Sequence, residues 1–286
     1  MASTPLISTA ELAARLDDRQ LRLVDCRFEL ADPEAGARAY AAGRIPHARY
    51  ADLNRDLSDL SKTAVHGRHP LPEMRALAAS FARLDLTRDT YIVAYDQDSG
   101  AYAARLWWLL RALGFVQVKV LDGGFAAWNA DGLPLESGPP PRYPPTRLPL
   151  RLSLPANAWL NADAVTTGLA DGSIALVDAR GAARYRGEVE PIDPVAGHVP
   201  GAINRPFTEN LGPDGRFKPA AQLRAEFAAL LQGRSALQVV HMCGSGVTAC
   251  HNRLAMDVAG MRGSRLYPDS WSGWIRDPRR KVAVGA

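Results

Sequence analysis

The chain has 286 residues, 47% of them hydrophobic, so it can bury a large core as one large or two ordinary domains. Its formal net charge of +4 comes from 34 basic and 30 acidic residues that are interspersed, and we therefore expect no nucleic-acid partner. The first residues lack a basic region followed by an apolar core, and no apolar run reaches the roughly 18 residues of a membrane span. We expect no membrane partner and a cytoplasmic location.

The first half of the chain predicts strands that alternate with amphipathic helices. Residues 8–11, STAE, form a capping box, which marks a helix start. LRLVDCR at 21–27 and TYIVAYD at 90–96 are apolar, β-rich runs, and LPEMRALAASFARL at 71–84 has apolar residues at helical spacing. Such alternation is typical of a parallel sheet covered by helices.

The middle of the chain predicts a linker. Residues 136–150, ESGPPPRYPPTRLPL, contain six prolines, which favour an extended connector. We therefore predict an N-terminal domain over 1–135, a linker over 136–150 and a C-terminal domain over 151–286.

The second half of the chain repeats the first. IALVDAR at 174–180 matches residues 21–27, and GHVPGA at 197–202 matches GRIPHA at 43–48. Five such blocks recur in the same order, so we predict an α/β fold of two tandem domains, each a mostly parallel sheet with helices on both faces. The Asp-x-Arg motif occurs in both halves, which predicts a structural ion pair at the end of each strand.

The three cysteines, Cys26, Cys243 and Cys250, are an odd number without a C-x-x-C pair, which favours a reducing compartment over a disulfide scaffold. Cys243 lies between a β-rich run and a helix-forming run, in a turn of small residues. Several backbone amides of such a turn can point at one atom, and the following helix adds its positive end. We expect a nucleophilic thiol with a lowered pKa, and a buried structural cysteine is the alternative.

The turn CGSGVTAC, the tandem layout and the GHVPGA and DAR blocks resemble the rhodanese superfamily, and the turn is most similar to that of its 3-mercaptopyruvate sulfurtransferases. The resemblance implies a catalytic C-terminal domain and an inactive N-terminal domain, in which Asp96 stands at the position of Cys243. It implies that Cys243 takes a sulfane sulfur from a small-molecule donor and holds it as a persulfide. A cyanide or thiol acceptor, with reduced thioredoxin as one candidate, then removes that sulfur. No cofactor is implied.

The resemblance also implies which residues form the site. Cys243 is the nucleophile, and Ser245 acts beside it together with His69 and Asp52, although both of these also fit ordinary loop positions. Arg186 is implied as the first arginine for a substrate carboxylate. The backbone of the turn holds the negative charge of thiolate and persulfide, through Gly244, Ser245, Gly246, Val247 and Thr248.

Two features of the sequence bear on the donor in opposite ways. Mercaptopyruvate members carry a second arginine in a Glu-Pro-Arg context, where this chain has Ile192 and Asp193. Thiosulfate-preferring members place Arg and Lys directly after the cysteine, whereas residues 244–247 are neutral. We expect 3-mercaptopyruvate as the donor, and thiosulfate is the alternative donor. The alternative to an enzyme is a protein that carries a persulfide, or acts as an interaction module, without turnover.

Two other chemistries are not expected from this turn. A related phosphatase would carry an arginine six residues after the nucleophile, where this chain has Ala249. The possible zinc ligands are His241, Cys243, Cys250 and His251. His241 is predicted on a strand and Cys250 and His251 on a helix, so their side chains point in different directions.

Overall fold

A computed structural model describes residues 4–139 and 151–286, so residues 140–150 of the predicted linker lie outside the described residues. The described strands are β1 (Leu6–Ile7), β2 (Leu21–Asp25), β3 (Arg49–Tyr50), β4 (Tyr91–Tyr95), β5 (Val118–Leu121), β6 (Ala175–Asp178), β7 (Ile203–Asn204), β8 (Val239–Met242) and β9 (Arg265–Leu266). The described α-helices are α1 (Thr9–Ala13), α2 (Ala35–Ala42), α3 (Thr63–His66), α4 (Met74–Arg83), α5 (Ala103–Ala112), α6 (Gly124–Ala130), α7 (Ala162–Ala170), α8 (Ala182–Tyr185), α9 (Ala220–Leu231), α10 (Thr248–Val258) and α11 (Ser270–Trp274). None of these helices has the length and apolar character that crossing a membrane requires.

The described strands form two parallel sheets, and the strand orders of these sheets correspond. The first sheet has the order β1-β5-β4-β2-β3 and the second β7-β6-β8-β9, with every pair parallel. Read in the opposite direction, β9-β8-β6-β7 repeats β5-β4-β2-β3. A parallel bridge from Trp159 to Leu266 stands where β1 pairs with β5. The predicted α/β fold with a repeated, mostly parallel sheet is confirmed.

The helices follow from local sequence signals. Ser8 and Glu11 form both hydrogen bonds of the predicted capping box at the start of α1. In α4, the residues Leu77 and Phe81 are four positions apart and both buried, which places one face of the helix in the core. The same spacing recurs in α9, which buries Leu223, Phe227 and Leu231.

The predicted Asp-x-Arg ion pairs are confirmed in both sheets. At the end of β2, Nη2 of Arg27 lies 2.6 Å from Oδ2 of Asp25, and at the end of β6, Nη2 of Arg180 lies 2.7 Å from Oδ2 of Asp178. Each arginine also donates to the carbonyl of the first glycine in the GRIPHA or GHVPGA block. The motif therefore ties each strand end to the loop before the next strand.

The described residues divide into two compact units that are discontinuous in sequence. The first takes those of Met1–Ser58, Pro72–Leu154 and Pro213–Phe217, and the second takes those of Asp59–Leu71, Pro155–Gly212 and Lys218–Ala286. The segment Asp59–Leu71 lies within the predicted N-terminal domain but packs in the unit that contains Cys243. The boundaries at 135 and 151 stay a prediction.

Candidate active site

Cys243 directly follows β8 and is 2% exposed. The carboxyl end of a parallel strand is where open α/β sheets place their ligand sites. Strand β8 is an inner strand, with β6 and β9 as its neighbours, so the thiol lies near the middle of this edge of the sheet. The turn that follows ends at Val247, and α10 begins at Thr248.

One backbone amide of the turn, that of Gly246, is directed at the sulfur atom. The amide nitrogen of Gly246 lies 3.1 Å from Sγ of Cys243 and donates to it. Gly246 has a φ of +78°, and an added Cβ would lie 2.1 Å from the carbonyl oxygen of Pro268. Only glycine fits this position, and the amide of a glycine therefore faces the thiol.

The segment around α11 holds the turn from the other side. Oγ of Ser270 accepts the amide hydrogen of Cys243 at 3.0 Å, and the amides of Trp271 and Ser272 donate to the carbonyls of Cys243 and Gly244 at 3.0 and 2.9 Å. Ser270 has a φ of +53°, a conformation that is costly for a residue with a side chain. In this conformation the buried hydroxyl of Ser270 accepts the amide hydrogen of Cys243 and so fixes the backbone of the nucleophile.

Ser245 and His69 meet in the second unit. Nδ1 of His69 lies 2.8 Å from Oγ of Ser245, and the two residues are 5% and 8% exposed. The segment Asp59–Leu71 brings His69 there. Asp52 belongs to the first unit, where Oδ1 accepts the amide hydrogens of Asn54 and Arg55 at 2.8 and 2.9 Å, a backbone-capping position.

The side chain of Arg186 contacts Glu188. Its Nε and Nη2 lie 2.6 and 2.9 Å from the two carboxylate oxygens of that exposed residue. A Cβ added to Gly244, the residue after the nucleophile, would instead lie 2.9 Å from Nη2 of Arg68 and 3.7 Å from Nη1 of Arg184. The guanidinium groups placed beside the turn are therefore those of Arg68 and Arg184.

Sequence reasoning missed both of these arginines. Arg184 is in the same RYR stretch as Arg186, and the direction of α8 separates the two side chains. Arg68 directly precedes His69, which sequence reasoning did select. No pattern in the sequence indicates that the segment Asp59–Leu71 packs in the second unit. The one signal for Arg68 was therefore its position next to His69 in the sequence.

The matching turn of the first unit holds a carboxyl group in place of the thiol. Asp96 follows β4, is fully buried, and accepts the amide hydrogens of Gly100, Tyr102 and Ala103 at 2.9, 2.7 and 3.0 Å. Burial raises the pKa of Asp96, and these hydrogen bonds oppose that shift. In this repeat of the fold, several amides after the central strand converge on an acidic group.

The other two cysteines, Cys26 and Cys250, occupy packed positions. Burial raises the pKa of Cys26 well above its ordinary value, with further contributions from Asp25, Asp96 and Asp56, so this thiol stays protonated. Sγ of Cys250 lies 3.4 Å from the carbonyl oxygen of Gly246. Within residues 4–139 and 151–286, no three His, Cys, Asp or Glu side chains are grouped as a metal site would need.

Comparisons with known proteins agree on one family. The model of the "Rhodanese-like domain" matches residues 8–131 and 161–277. The chain is 49% identical, over the full length of both chains, to the "Probable 3-mercaptopyruvate sulfurtransferase" of Pseudomonas aeruginosa. It is 31% identical to the thiosulfate sulfurtransferase of Mus musculus over 98% of this chain and 95% of that protein. The solved 3-mercaptopyruvate sulfurtransferase of Leishmania major superposes with a TM-score of 0.84 at 31% identity, covering 96% of this chain and 76% of that one.

Proposed function

Because the chain belongs to the rhodanese family, as its resemblance predicted, we propose that it is a sulfurtransferase that moves sulfur from 3-mercaptopyruvate through a Cys243 persulfide to a thiophilic acceptor. The observation that carries the proposal is the thiol at the carboxyl end of β8, with the Gly246 amide directed at its sulfur atom. Its relatives include proteins named 3-mercaptopyruvate sulfurtransferase and proteins named thiosulfate sulfurtransferase, the two activities considered from the sequence.

The reaction has two half-reactions. The Cys243 thiolate attacks the donor sulfur, a sulfur–sulfur bond forms, and the carbon–sulfur bond of the donor breaks. The electron pair of that bond leaves with the pyruvate enolate, which takes up a proton to give pyruvate. The acceptor then attacks the outer sulfur, and the sulfur–sulfur bond breaks to return the thiolate.

The turn and the Ser245–His69 pair have separate roles in this scheme. The Gly246 amide stabilises negative charge on Sγ in the thiolate and the persulfide. The hydroxyl of Ser245 donates a proton to the departing pyruvate enolate, and His69, hydrogen-bonded to Ser245, returns a proton to that hydroxyl. We retain Asp52 as a proposed partner of His69, as the family resemblance implies.

A 2-keto acid donor fits the charges beside the turn. Residues 244–247 carry no charge, and the guanidinium groups of Arg68 and Arg184 lie to one side of Gly244, where the carboxylate of a donor bound at Cys243 would extend. Thiosulfate is the second candidate, because a relative at 31% identity carries that name. Arg186 stays a predicted donor-binding residue that this placement does not favour.

The acceptor and the cellular location follow from the same chemistry. A persulfide reacts with cyanide and with thiols, and reduced thioredoxin is the protein acceptor we propose. All three cysteines are free, as a reducing compartment such as the cytoplasm would keep them. A carrier that loads one sulfur and passes it to a dedicated partner is the alternative of another class.

The first experiment measures cyanide-dependent turnover with 3-mercaptopyruvate and with thiosulfate side by side. Cys243→Ser should abolish turnover and the mass increase of one sulfur atom. Cys26→Ala, at a cysteine that is also 2% exposed, should retain both. We expect 3-mercaptopyruvate to exceed thiosulfate by more than about tenfold in kcat/KM. A preference for thiosulfate would contradict the donor, and loading without turnover would make the protein a carrier.

A further inference from the structure

We propose that Arg68 binds the anionic end of the sulfur donor and that Asp193 is the residue that positions it. This inference rests on the proposed sulfurtransferase function and names a residue of its donor site. Asp193 stands in the stretch EPIDPVAGH, where the sequence lacks the second substrate arginine. The structure places a guanidinium group beside Asp193 all the same, because Arg68 reaches it from the segment Asp59–Leu71.

The backbone of Arg68 is fixed against the turn through Ser272. The amide of Arg68 donates to Oγ of Ser272 at 3.0 Å, and the amide of Ser272 donates to the carbonyl of Gly244 at 2.9 Å. Gly67 has a φ of +80°, and an added Cβ there would lie 2.4 Å from Oγ of Ser272. The close approach at Gly67 therefore requires glycine and sets where Arg68 begins.

The side chain of Arg68 is held by a carboxylate that it shares with Arg184. Oδ1 of Asp193 pairs with Nη1 of Arg68, and Oδ2 of Asp193 lies 3.2 Å from Nη2 of Arg184. Asp193 is 9% exposed, and burial raises its pKa against the positive charges of the two arginines. A buried carboxylate is costly without cations beside it, so Asp193 is stable here because it holds both guanidinium groups.

Arg68 has hydrogen-bond donors that its ion pair does not use. Among the described residues, its Nε is buried without a hydrogen-bond partner, and its Nη2 is the atom 2.9 Å from a Cβ added to Gly244. Arg184 is more committed, because Nε and Nη2 pair with Glu190 at 3.1 and 2.7 Å. Of the two side chains, Arg68 keeps more of its donors for a ligand.

These donors suit a carboxylate. A guanidinium and a carboxylate form two parallel hydrogen bonds, which orient the bound group as well as attract it. An anion at this position lies over Gly244, one residue beyond the nucleophile. The sulfur of 3-mercaptopyruvate is only a few bonds from its carboxylate, so we expect this donor to place its carboxylate near Arg68 when its sulfur is at Cys243.

The test uses the full chain and separates the two half-reactions. In a ping-pong reaction, kcat/KM for the donor reports only sulfur loading, and kcat/KM for the acceptor reports only sulfur release. We would measure both for 3-mercaptopyruvate with dithiothreitol, an uncharged acceptor. The variants are Arg68→Met, Arg68→Lys and Asp193→Asn. Arg279→Met serves as the control, because Arg279 is exposed and paired with Asp277.

We expect Arg68→Met to lower donor kcat/KM by about 10- to 100-fold, the effect of losing a charge-assisted hydrogen bond. Acceptor kcat/KM should stay within about twofold. Arg68→Lys should be intermediate, since it keeps the charge without the two-pronged geometry. Asp193→Asn should raise donor KM with little change in kcat, because Arg68 is present but less well positioned.

Urea titration of Arg68→Met, Arg68→Lys and Asp193→Asn identifies the variants that fold as the wild type does. The loss of donor kcat/KM in any variant that folds then tests the role of Arg68. Equal losses for donor and acceptor, or donor kcat/KM unchanged in Arg68→Met, would overturn the role of Arg68. If the wild type turns over neither donor, the proposed function fails instead. If it prefers thiosulfate, the same variants test Arg68 with that anion.

Discussion

Among single residues, His241 has the clearest consequence for stability. It lies on β8, is fully buried, and its Nε2 lies 3.1 Å from Oγ of Ser264. Burial lowers its pKa to about 3, and the positive charge of Arg253 contributes to the same shift. The neutral imidazole therefore belongs to the core of the second sheet.

We expect the free energy of unfolding to fall as the pH falls below about 6.5, because the unfolded chain then takes up a proton that folded His241 does not. At 1.36 kcal/mol per pH unit, the loss from this group is about 2 kcal/mol between pH 7 and pH 5. Urea titrations at both pH values should show this difference between the wild type and His241→Gln. His47→Asn, at an exposed residue, is the control. Parallel pH slopes for the wild type and His241→Gln would contradict the prediction.

The identity of individual site residues was the least predictable part of the structure. Cys243 was predictable because a purely structural cysteine does not require a glycine turn between a strand and a helix. Arg184 and Arg186 are two positions apart in one stretch, so only the path of α8 shows which of them approaches Gly244. Arg68 depends on the packing of the segment Asp59–Leu71, which local sequence does not encode.

Among the elements, α11 and the turn before it have the most specific part. Ser270 begins α11 at a φ of +53°, accepts the amide of Cys243 and donates to the carbonyl of Tyr267 at 2.9 Å. The strained backbone at Ser270 therefore places its hydroxyl where it holds the backbone of the nucleophile. Its sequence, SWSGW, does not by itself indicate that a strained serine stands at its first position.

Ser270→Ala should lower the free energy of unfolding by about 1–3 kcal/mol, because the buried amide of Cys243 loses its acceptor while the strain remains. Ser270→Gly also loses the acceptor but relaxes the φ, so it should be about 1 kcal/mol more stable than Ser270→Ala. Urea titration measures both, and alkylation of Cys243 should be faster in both than in the wild type. Ser173→Ala, at an exposed turn serine of the same unit, is the control. Equal stability of the alanine and glycine variants would show that the backbone at 270 is not strained.

Across the described residues, one sheet arrangement occurs twice, with Cys243 after the central strand of one sheet and Asp96 after that of the other. The repeat could be predicted, because the strand, glycine-block and helix signals recur in order and each is local. The different lengths of the two turns were harder to predict from the sequence. Helix α10 begins five residues after Cys243, whereas α5 begins seven residues after Asp96 and the longer turn contains Asp98.

These differences predict that a thiol alone does not make the first unit active. In a Cys243→Ser background, adding Asp96→Cys should give no turnover with 3-mercaptopyruvate above the Cys243→Ser blank. Asp98 already contributes to the raised pKa of Asp96, and its carboxylate would likewise raise the pKa of the introduced thiol and repel an anionic donor. Adding Asp98→Asn should speed alkylation of that thiol at neutral pH. Substantial turnover in the Asp96→Cys variant would instead mean that the nucleophile by itself decides which unit works, and that the arginines beside Gly244 are dispensable.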